Sequence, residues 1–311
     1  MKTCPLAYYK KKSCKSSEWG HFEFHSHKEF EIYLFHSGSC NYLINNTVYH
    51  MHPGDIILLN GLTLHRANPM PTEPYVRSVV HFSPEVMNAS ISALEFPELL
   101  HPFSEFNNCL FRNVEKPLLN RIETLIEKIE HLYSRENIVK VIDKDLTKSN
   151  RLIEAKMQTL IIQLLFQIYE LSQTENKKYI HADTEKELHV NRITKWIEQH
   201  YQEDISLDDI AKNLCISKYY LSHIFKEVTG GTVMKYLMGC RVNRAKILLE
   251  TEPKKLVLDI ALESGFKHNS HFSRYFQQEV GMTPSDYRKR YYNPDPIYHT
   301  KYEDRTVYLN N

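Results

Sequence analysis

A segment near the carboxyl end of the chain repeats itself at an offset of 50 to 51 residues. The positions that correspond are Asp209-Ile210-Ala211 and Asp259-Ile260-Ala261, Leu221-Ser222 and Phe272-Ser273, Phe225 and Phe276, and Gly230 and Gly281. In each copy, apolar residues recur at three- and four-residue steps on either side of a short connection, which predicts two helices joined by a tight turn. A duplicated helical pair of this kind is typical of helix-turn-helix units, whose second helix can enter the major groove of DNA.

Local signals support both turns. Ser206 and Asp209 have the spacing of a capping box at the start of the first pair, and Gly265 permits the turn of the second. Between the copies, residues 232–250 predict one long helix, which would hold the two units at a fixed separation. If the units face the same way, successive major grooves about 34 Å apart are the natural target. A plain helical bundle is the alternative, because helical hairpins are common in proteins without a DNA-binding role.

The second copy also resembles a known family. The run is Ala261-Leu-Glu-Ser-Gly265-Phe266-Lys-His-Asn-Ser270-His-Phe272-Ser-Arg-Tyr-Phe276, continued by Gly281-Met-Thr283-Pro284-Ser-Asp-Tyr287-Arg288. It resembles the signature of AraC/XylS-type transcription regulators, and the resemblance extends over roughly residues 188–290. It implies two helix-turn-helix units in one chain that bind double-stranded DNA. It also implies activation of transcription with RNA polymerase, often in response to a small molecule.

Position in the two second helices nominates the DNA-contacting residues. The fork of Arg274 suits guanine O6 and N7, and Asn269 could read adenine. Lys226, Lys254 and Lys267 are better placed for phosphates, which give affinity without sequence information. The base-facing candidates are Lys218, Tyr219, Ser222 and His223 in the first unit and Asn269, Ser270, Ser273 and Arg274 in the second. His223 stands where many relatives carry Arg.

The amino-terminal part predicts a different architecture. Residues 22–82 alternate apolar and polar side chains in short runs separated by turn formers such as Pro53-Gly54. This pattern predicts a small antiparallel barrel or sandwich. The predicted fold class is therefore α+β and multidomain, with an amino-terminal cupin-like antiparallel β-barrel plus helices and a carboxy-terminal all-α double helix-turn-helix domain. The barrel is predicted to sense an effector.

Three residues near the start of the barrel share odd numbering: His25, His27 and Glu31. If residues 23–33 form a strand, they project from one face. With His65 and Gly38 they resemble the metal-binding pattern of cupin barrels, so a metal-dependent enzyme or a metal sensor is the alternative function. We favour histidines that hydrogen-bond a small effector such as a sugar, and we predict neither a metal nor a cofactor. The predicted effector-binding residues are His25, His27, Glu31, Tyr33, Tyr42, His65 and Arg66.

The predicted domain boundaries follow from these patterns. Residues 1–115 form the effector-sensing barrel and 116–172 two amphipathic helices that pack within the chain or form a homodimer. A polar linker spans 173–187, the DNA-binding domain 188–292, and a tail 293–311. Residues 188–292 contain 16 Lys or Arg and 12 Asp or Glu, an excess too small to indicate DNA binding by itself. Six scattered cysteines and the lack of an apolar leader or membrane segment predict a cytoplasmic protein. The family resemblance implies a regulator that is not an enzyme.

Overall fold

A computed structural model describes residues 8–14, 23–44, 46–61, 63–70, 73–104, 109–142, 147–174 and 184–292. The chain divides into two compact units, Met1–Ile44 with Val48–Asp183, and Asn45–Thr47 with Thr184–Asn311. The predicted tail and residues 175–183 of the predicted linker lie outside the described residues. None of the helices within the described ranges has the length and apolar character needed to cross a membrane.

The first unit contains two sheets. Their strands are β1 (Tyr8–Cys14), β2 (Phe30–Ser37), β3 (Cys40–Ile44), β4 (Thr47–His50), β5 (Ile56–Leu59), β6 (His65–Pro69), β7 (Tyr75–Phe82) and β8 (Cys109–Phe111). One sheet is antiparallel with five strands in the order β1-β7-β2-β5-β8, and the other has three strands in the order β4-β3-β6. Three of the alternating runs within residues 22–82, namely 31–35, 41–44 and 55–59, coincide with β2, β3 and β5, which confirms the predicted antiparallel β-domain.

Aromatic and aliphatic side chains fill the core between the two sheets. Tyr33, Phe35, Tyr42 and Tyr75 are all buried there, and the hydroxyls of Tyr33 and Tyr75 share a hydrogen bond of 2.7 Å. A buried phenol group needs a hydrogen-bond partner, and this bond supplies one to each of the two tyrosines. The core of the β-domain is therefore closely packed and contains its own polar contact.

A buried ion pair connects Arg112, which follows β8, to Asp55 in the segment between β4 and β5. The guanidinium Nη2 of Arg112 lies 2.7 Å from Oδ2 of Asp55, and Nε of Arg112 lies 3.0 Å from Oδ1. The same Nη2 donates to the carbonyl oxygen of His50 at 2.6 Å. Asp55 is 1% exposed, so removing the pair from water costs free energy. The full set of hydrogen bonds is needed to offset this desolvation cost.

Helices complete the first unit. They are α1 (Pro84–Ala93), α2 (His101–Ser104), α3 (Lys116–Ile142) and α4 (Thr147–Gln173), with a 3₁₀ turn at Pro97–Leu100. The long helices α3 and α4 pack against each other and contain the amphipathic runs recognised in the sequence. Ile122, Ile126, Ile161 and Leu165 are buried, whereas Leu152 on α4 is 56% exposed.

The second unit is entirely helical within its described residues. Its helices are α5 (Glu185–His200), α6 (Leu207–Asn213), α7 (Lys218–Thr229), α8 (Val233–Thr251), α9 (Val257–Glu263), α10 (Asn269–Val280) and α11 (Pro284–Tyr291). Ser206 and Asp209 form the predicted capping box of α6, and α8 is the predicted long helix between the copies. α5 begins inside the predicted linker because Thr184 and Glu187 form another capping box.

The two copies share their turn geometry down to individual hydrogen bonds. After α6, the amide of Ile216 donates to the carbonyl of Ala211 at 3.0 Å. After α9, the amide of Phe266 donates to Ala261 at 2.9 Å. The residue before each donor has positive φ, +55° at Cys215 and +88° at Gly265. Both pairs are therefore true helix-turn-helix units with the same backbone conformation, as the repeat predicted.

Candidate nucleic-acid interface and histidine cluster

The second helix of the first helix-turn-helix unit, α7, has one buried and one polar face. Leu221, Ile224 and Phe225 face the core, and Ser217 caps the amino terminus by accepting from the amide of Tyr220. The predicted contacts Lys218, Tyr219, Ser222, His223 and Lys226 are all exposed and recur at helical spacing, so they form one continuous stripe. Tyr219 is 80% exposed and its ring stacks on that of His223 with centroids 5.9 Å apart. So large an aromatic surface in water is suited to contact a partner.

The corresponding helix of the second helix-turn-helix unit, α10, has the same division into a buried and a polar face. Phe272 and Phe276 are buried and pack with Phe266 and Tyr287 in the core of this unit. The structure leaves Asn269, Ser270 and Arg274 exposed, and Ser273 is half-buried. Burial of the two phenylalanines therefore fixes the rotation of α10 and determines which side chains point outward.

Two of the exposed cations predicted to contact DNA form ion pairs at the protein surface. The Nζ of Lys218 lies 2.7 Å from Oδ2 of Asp208, and Lys267 pairs with Asp204. These pairs lie in solvent, contribute little to stability and can be exchanged for phosphate contacts. Arg274, Lys226 and Lys254 are also exposed.

Two arginines that lie near the repeat serve the fold itself. Arg241 on α8 donates from Nε to the carbonyl of Tyr201 at 2.7 Å and from Nη2 to that of Glu203 at 2.8 Å. Nη2 of Arg244 donates to Oε1 of Glu263 on α9 at 3.0 Å. Basic residues on α8 therefore hold neighbouring segments in place and are not part of the polar stripes on α7 and α10.

A second group of polar side chains gathers in the β-domain. We call the set His25, His27, Glu31, His65 and His81 the histidine cluster. Possible ligand atoms of His25, His27 and His65 lie within 4.8 Å of one another, as do those of His27, Glu31 and His81. Glu31 and His65 are buried, His27 and His81 are partly buried, and His25 is exposed. The cluster thus runs from the interior to the surface.

The predicted strand over residues 23–33 is wrong, although it led to the right cluster. β2 begins only at Phe30, and the chain bends at Lys28 and Glu29. Both edges of β2 are already paired, with β5 and β7, so the segment before it bonds elsewhere. His25 forms an isolated antiparallel bridge with His65. The three residues therefore meet through a bend rather than through alternation along one strand.

A glycine makes this bend possible. The carbonyl of Gly61 accepts from the amide of His27 at 2.7 Å. Gly61 has φ of +77°, and a Cβ there would lie 2.1 Å from the carbonyl oxygen of Glu29 and 2.6 Å from that of His27. Only glycine allows so close a backbone approach. The sequence pattern singled out Pro53-Gly54 as a turn but not Gly61, so the role of Gly61 in placing His27 was missed.

Glu31 is the centre of the cluster. Its Oε2 lies 3.1 Å from Nε2 of His27, 3.7 Å from Nε2 of His65 and 3.8 Å from Nδ1 of His81. His81 was missed in the sequence, because it became a candidate only once β7 was known to pair with β2 in a register that places His81 directly opposite Glu31. His81 and Val79 point to the same face of β7, and this alternation alone could have suggested an inward histidine.

Burial and charge oppose each other in this cluster. Burial favours a raised pKa for Glu31, but the hydrogen bond from His27 and the charges of neighbouring histidines outweigh it and hold the pKa well below its usual range. Burial lowers the pKa values of His65 and His81 below the usual range of histidine. Burial also opposes the protonation of His27, but the hydrogen bond and charge of Glu31 prevail and raise its pKa. The main electrostatic partner of Glu31 is therefore His27.

The other predicted effector residues lie in different places. Tyr33 and Tyr42 are in the packed core, with the Tyr42 ring stacked on that of His65 at 6.3 Å between centroids. Arg66 follows His65 in β6 and points to the other face, where its guanidinium lies 5.0 Å from the ring centre of Phe24. The structure therefore brings Tyr42 next to the cluster and separates Arg66 from it.

Two further exposed residues in the last turns of α10 were missed in the sequence. Gln277 and Gln278 are exposed and extend the stripe of Ser273 and Arg274 by one helical turn. Glutamine can bond adenine through both of its amide atoms. The periodicity that placed Phe272 and Phe276 inside would have been enough to identify both residues.

Comparisons with known proteins agree with both parts of this description. A family described as helix-turn-helix domain matches residues 210–290, and one described as AraC-like ligand binding domain matches residues 15–137. The HTH-type transcriptional regulator YdeC of Bacillus subtilis is 25% identical over 287 residues, which cover 92% of each chain. The regulatory protein SoxS of Salmonella typhimurium is 35% identical over 101 residues, 32% of this chain and 94% of SoxS. The melibiose operon regulatory protein of Escherichia coli is 24% identical over 275 residues, 85% of this chain and 83% of that protein.

The two helix-turn-helix units lie within or beside the segment that the helix-turn-helix family matches, and most of the β-domain lies within the segment that the AraC-like ligand binding domain matches. The resemblance inferred from residues 261–288 is thereby confirmed. This chain belongs to the AraC family of DNA-binding transcription regulators, and it has an amino-terminal ligand-binding domain.

Proposed function

We propose that α7 and α10 read base edges in two major grooves and that their exposed stripes determine the operator sequence. One observation carries this proposal: two turns with the same hydrogen bonds each present a helix whose apolar face is buried and whose polar face is in solvent. Arg274 and Asn269 supply the side chains that suit guanine and adenine, and Lys226, Lys254 and Lys267 contact phosphates.

The test compares two charge-removing variants of the full chain on DNA selected for tight binding. Arg274→Ala should lose about 1–3 kcal/mol of discrimination at one base position. Lys289→Ala, on the exposed side of α11, removes the same charge outside the stripe and should leave the base preference unchanged. If Arg274→Ala weakens binding to every sequence equally, α10 does not read bases in the proposed way.

We infer that the effector of the β-domain is a small polar molecule such as a sugar. The exposed ring of His25 and the neighbouring His27 offer hydrogen-bonding groups at the surface, and Tyr42 lies behind them against His65. The relative named for the melibiose operon supports a sugar. Effector binding would shift the population of chains between DNA-competent and incompetent arrangements.

The effector proposal is tested by thermal unfolding of the full chain with sugars and organic acids, each with and without a chelator. One compound should raise the midpoint in a dose-dependent way and change operator affinity. A compound that binds the β-domain but leaves both operator affinity and transcription unchanged would contradict the proposed regulation.

We propose that α3 and α4 form the interface of a homodimer. The helical pair leaves apolar side chains uncovered, with Leu152 56% and Phe166 36% exposed. Leu152→Glu should convert a dimer into monomers in sedimentation experiments, because a carboxylate would lose its hydration in the interface. Glu154→Gln, a nearby surface change, is the control and should leave the dimer intact.

We also propose that the protein activates transcription by contacting RNA polymerase, and that it is not an enzyme. Helix α9 and its N-cap residue expose an apolar patch, with Leu256 65%, Leu258 47% and Leu262 51% exposed. Patches of this kind serve as protein contacts. Leu258→Ser should reduce transcription in a purified system while operator affinity stays the same. Equal transcription from both proteins would exclude this patch as the polymerase contact.

A further inference from the structure

The turn of the second helix-turn-helix unit packs against a part of the chain outside that unit. Gly265, between α9 and α10, has φ of +88°, and a Cβ there would lie 2.5 Å from the carbonyl oxygen of Tyr201 and 3.0 Å from Cα of Gln202. Tyr201 is the C-cap residue of α5 and begins the α5–α6 segment, residues 201–205, which leads into the first helix-turn-helix unit. This segment therefore meets the second turn at a point where only glycine fits.

The equivalent turn of the first unit carries a side chain. Cys215 occupies the position of Gly265 and also has positive φ, +55°, but its thiol side chain is exposed. The backbone conformation of the turn thus occurs with a residue other than glycine. The feature that distinguishes Gly265 is the close approach of the α5–α6 segment.

Arg241 on α8 connects the two sides of this contact. Its Nε donates to the carbonyl oxygen of Tyr201 at 2.7 Å, and its Nη2 donates to that of Glu203 at 2.8 Å. A Cβ at Gly265 would lie 2.9 Å from the same Nε, so the guanidinium lies directly against the second turn. Because the guanidinium is a planar fork, one side chain holds both carbonyls in a fixed geometry.

Arg241 also stands where two cores meet along α8. Before it, Tyr236 packs against Phe225 of α7 with ring centroids 5.8 Å apart. After it, Val242 and Ala245 pack in the core of the second helix-turn-helix unit. A shared helix sets the distance between two units, whereas a contact beside that helix limits how they bend or rotate against each other. The hydrogen bonds of Arg241 are such a contact.

We propose that Arg241 is a positioning residue for DNA reading, which fixes α10 relative to α7 and makes operator affinity depend on the spacing of the two half-sites that these helices read. Adding one base pair moves a half-site by about 3.4 Å and turns it by about 34–36° around the duplex. Two rigidly held helices cannot follow this change, so only one stays engaged. The inference rests on the proposed reading of bases by α7 and α10.

The experiment measures binding of the full chain to duplexes derived from its selected operator, by fluorescence anisotropy at one salt concentration. The duplexes have the selected spacing, one base pair added, one removed, or one half-site scrambled. The wild type should bind both altered spacings at least about tenfold more weakly than the selected one, close to its affinity for a single half-site. Arg241→Gln should lose less than about threefold on the same changes and bind a single half-site as the wild type does.

Arg288→Gln is the matched control. Arg288 on α11 also donates to two backbone carbonyls, that of Lys255 at 2.7 Å and that of Pro253 at 3.4 Å. These bonds lie on the carboxyl-terminal side of α8 and do not involve the α5–α6 segment. The variant loses a comparable pair of hydrogen bonds but should keep the spacing dependence of the wild type. Circular dichroism checks that both variants are folded.

A measurement on the free protein depends neither on DNA nor on the variants. Residual dipolar couplings of the amides of α7 and α10, recorded on the weakly aligned full chain, should fit one common orientation tensor. The inference is overturned if the wild type needs a separate tensor for each helix, if Arg241→Gln keeps the wild-type spacing dependence, or if Arg288→Gln loses it as well. Failure to select any preferred sequence would instead contradict the DNA-reading proposal, and this inference with it.

Discussion

Replacing Gly61 with alanine should destabilise the β-domain far more than a glycine replacement with the same backbone strain. Two contributions can be worked out from the structure. An L side chain at φ of +77° costs roughly 1–2 kcal/mol. The new Cβ would also lie 2.1 Å from the carbonyl oxygen of Glu29, so the bend must move, and the hydrogen bond from His27 to Gly61, worth about 1 kcal/mol, is lost. Together they predict about 3 kcal/mol.

Gly54→Ala is the matched control within the same unit. Gly54 has φ of +89°, but its Cβ would meet only the side chain of Leu119, at an ordinary 3.4 Å. This variant should therefore lose only the conformational contribution, at most roughly 2 kcal/mol. The difference between the two variants isolates the effect of the close backbone approach at Gly61.

Hydrogen exchange measured by mass spectrometry reports the stability of each unit separately. In a peptide covering β5, exchange through unfolding of the unit should be at most about thirtyfold faster in Gly54→Ala and about a hundredfold faster in Gly61→Ala, since 1.4 kcal/mol corresponds to a factor of ten. A peptide from α8 should exchange alike in both variants. Equal acceleration of the β5 peptide by the two substitutions would refute the reasoning about the bend.

Three further outcomes are expected. Arg112→Ala leaves the carboxylate of Asp55 buried without its cation, so it should lower the free energy of unfolding in urea by about 3–5 kcal/mol. Arg121 is exposed, and Arg121→Ala should lower it by less than about 0.5 kcal/mol. Similar losses in the two variants would contradict the role of burial. Burial raises the pKa of Cys40 to about 12, so at pH 8 iodoacetamide should alkylate the exposed Cys215 much faster, as read from peptide masses. Cys215→Gly removes a side chain from a residue with φ of +55° and should raise the free energy of unfolding by about 1 kcal/mol, and a decrease would show that the thiol is needed for packing.

Local patterns were sufficient for most of the helical unit. The capping box at Ser206, the turn at Gly265 and the buried pair Phe272 and Phe276 depend on residues close together in sequence, and the structure confirms each of them. Because of the repeat, the same pattern of helices and turns could be recognised twice in the sequence. Helix propensities and caps are local properties, so they can be recognised without knowledge of tertiary contacts.

The β-domain was less predictable because its site depends on pairing between distant strands. Alternation identified β2, β3 and β5 but not their neighbours. The role of His81 follows from its register opposite Glu31, fifty residues earlier in the chain, and that register is a tertiary property. The bend at Lys28 and Glu29 likewise depends on a backbone contact with Gly61, which no period in the sequence reveals.

Selection from a pool of random duplexes by the purified full chain, followed by hydroxyl-radical footprinting of the enriched sequence, tests the central claim most directly. Two reading helices, α7 and α10, predict one enriched sequence protected at two segments about one helical turn, roughly 10 base pairs, apart on one face of the duplex. Protection by a chain carrying Arg274→Ala should weaken at one segment and persist at the other. Recovery of no preferred sequence, with uniform protection along any DNA, would contradict a sequence-specific regulator built on these two helices.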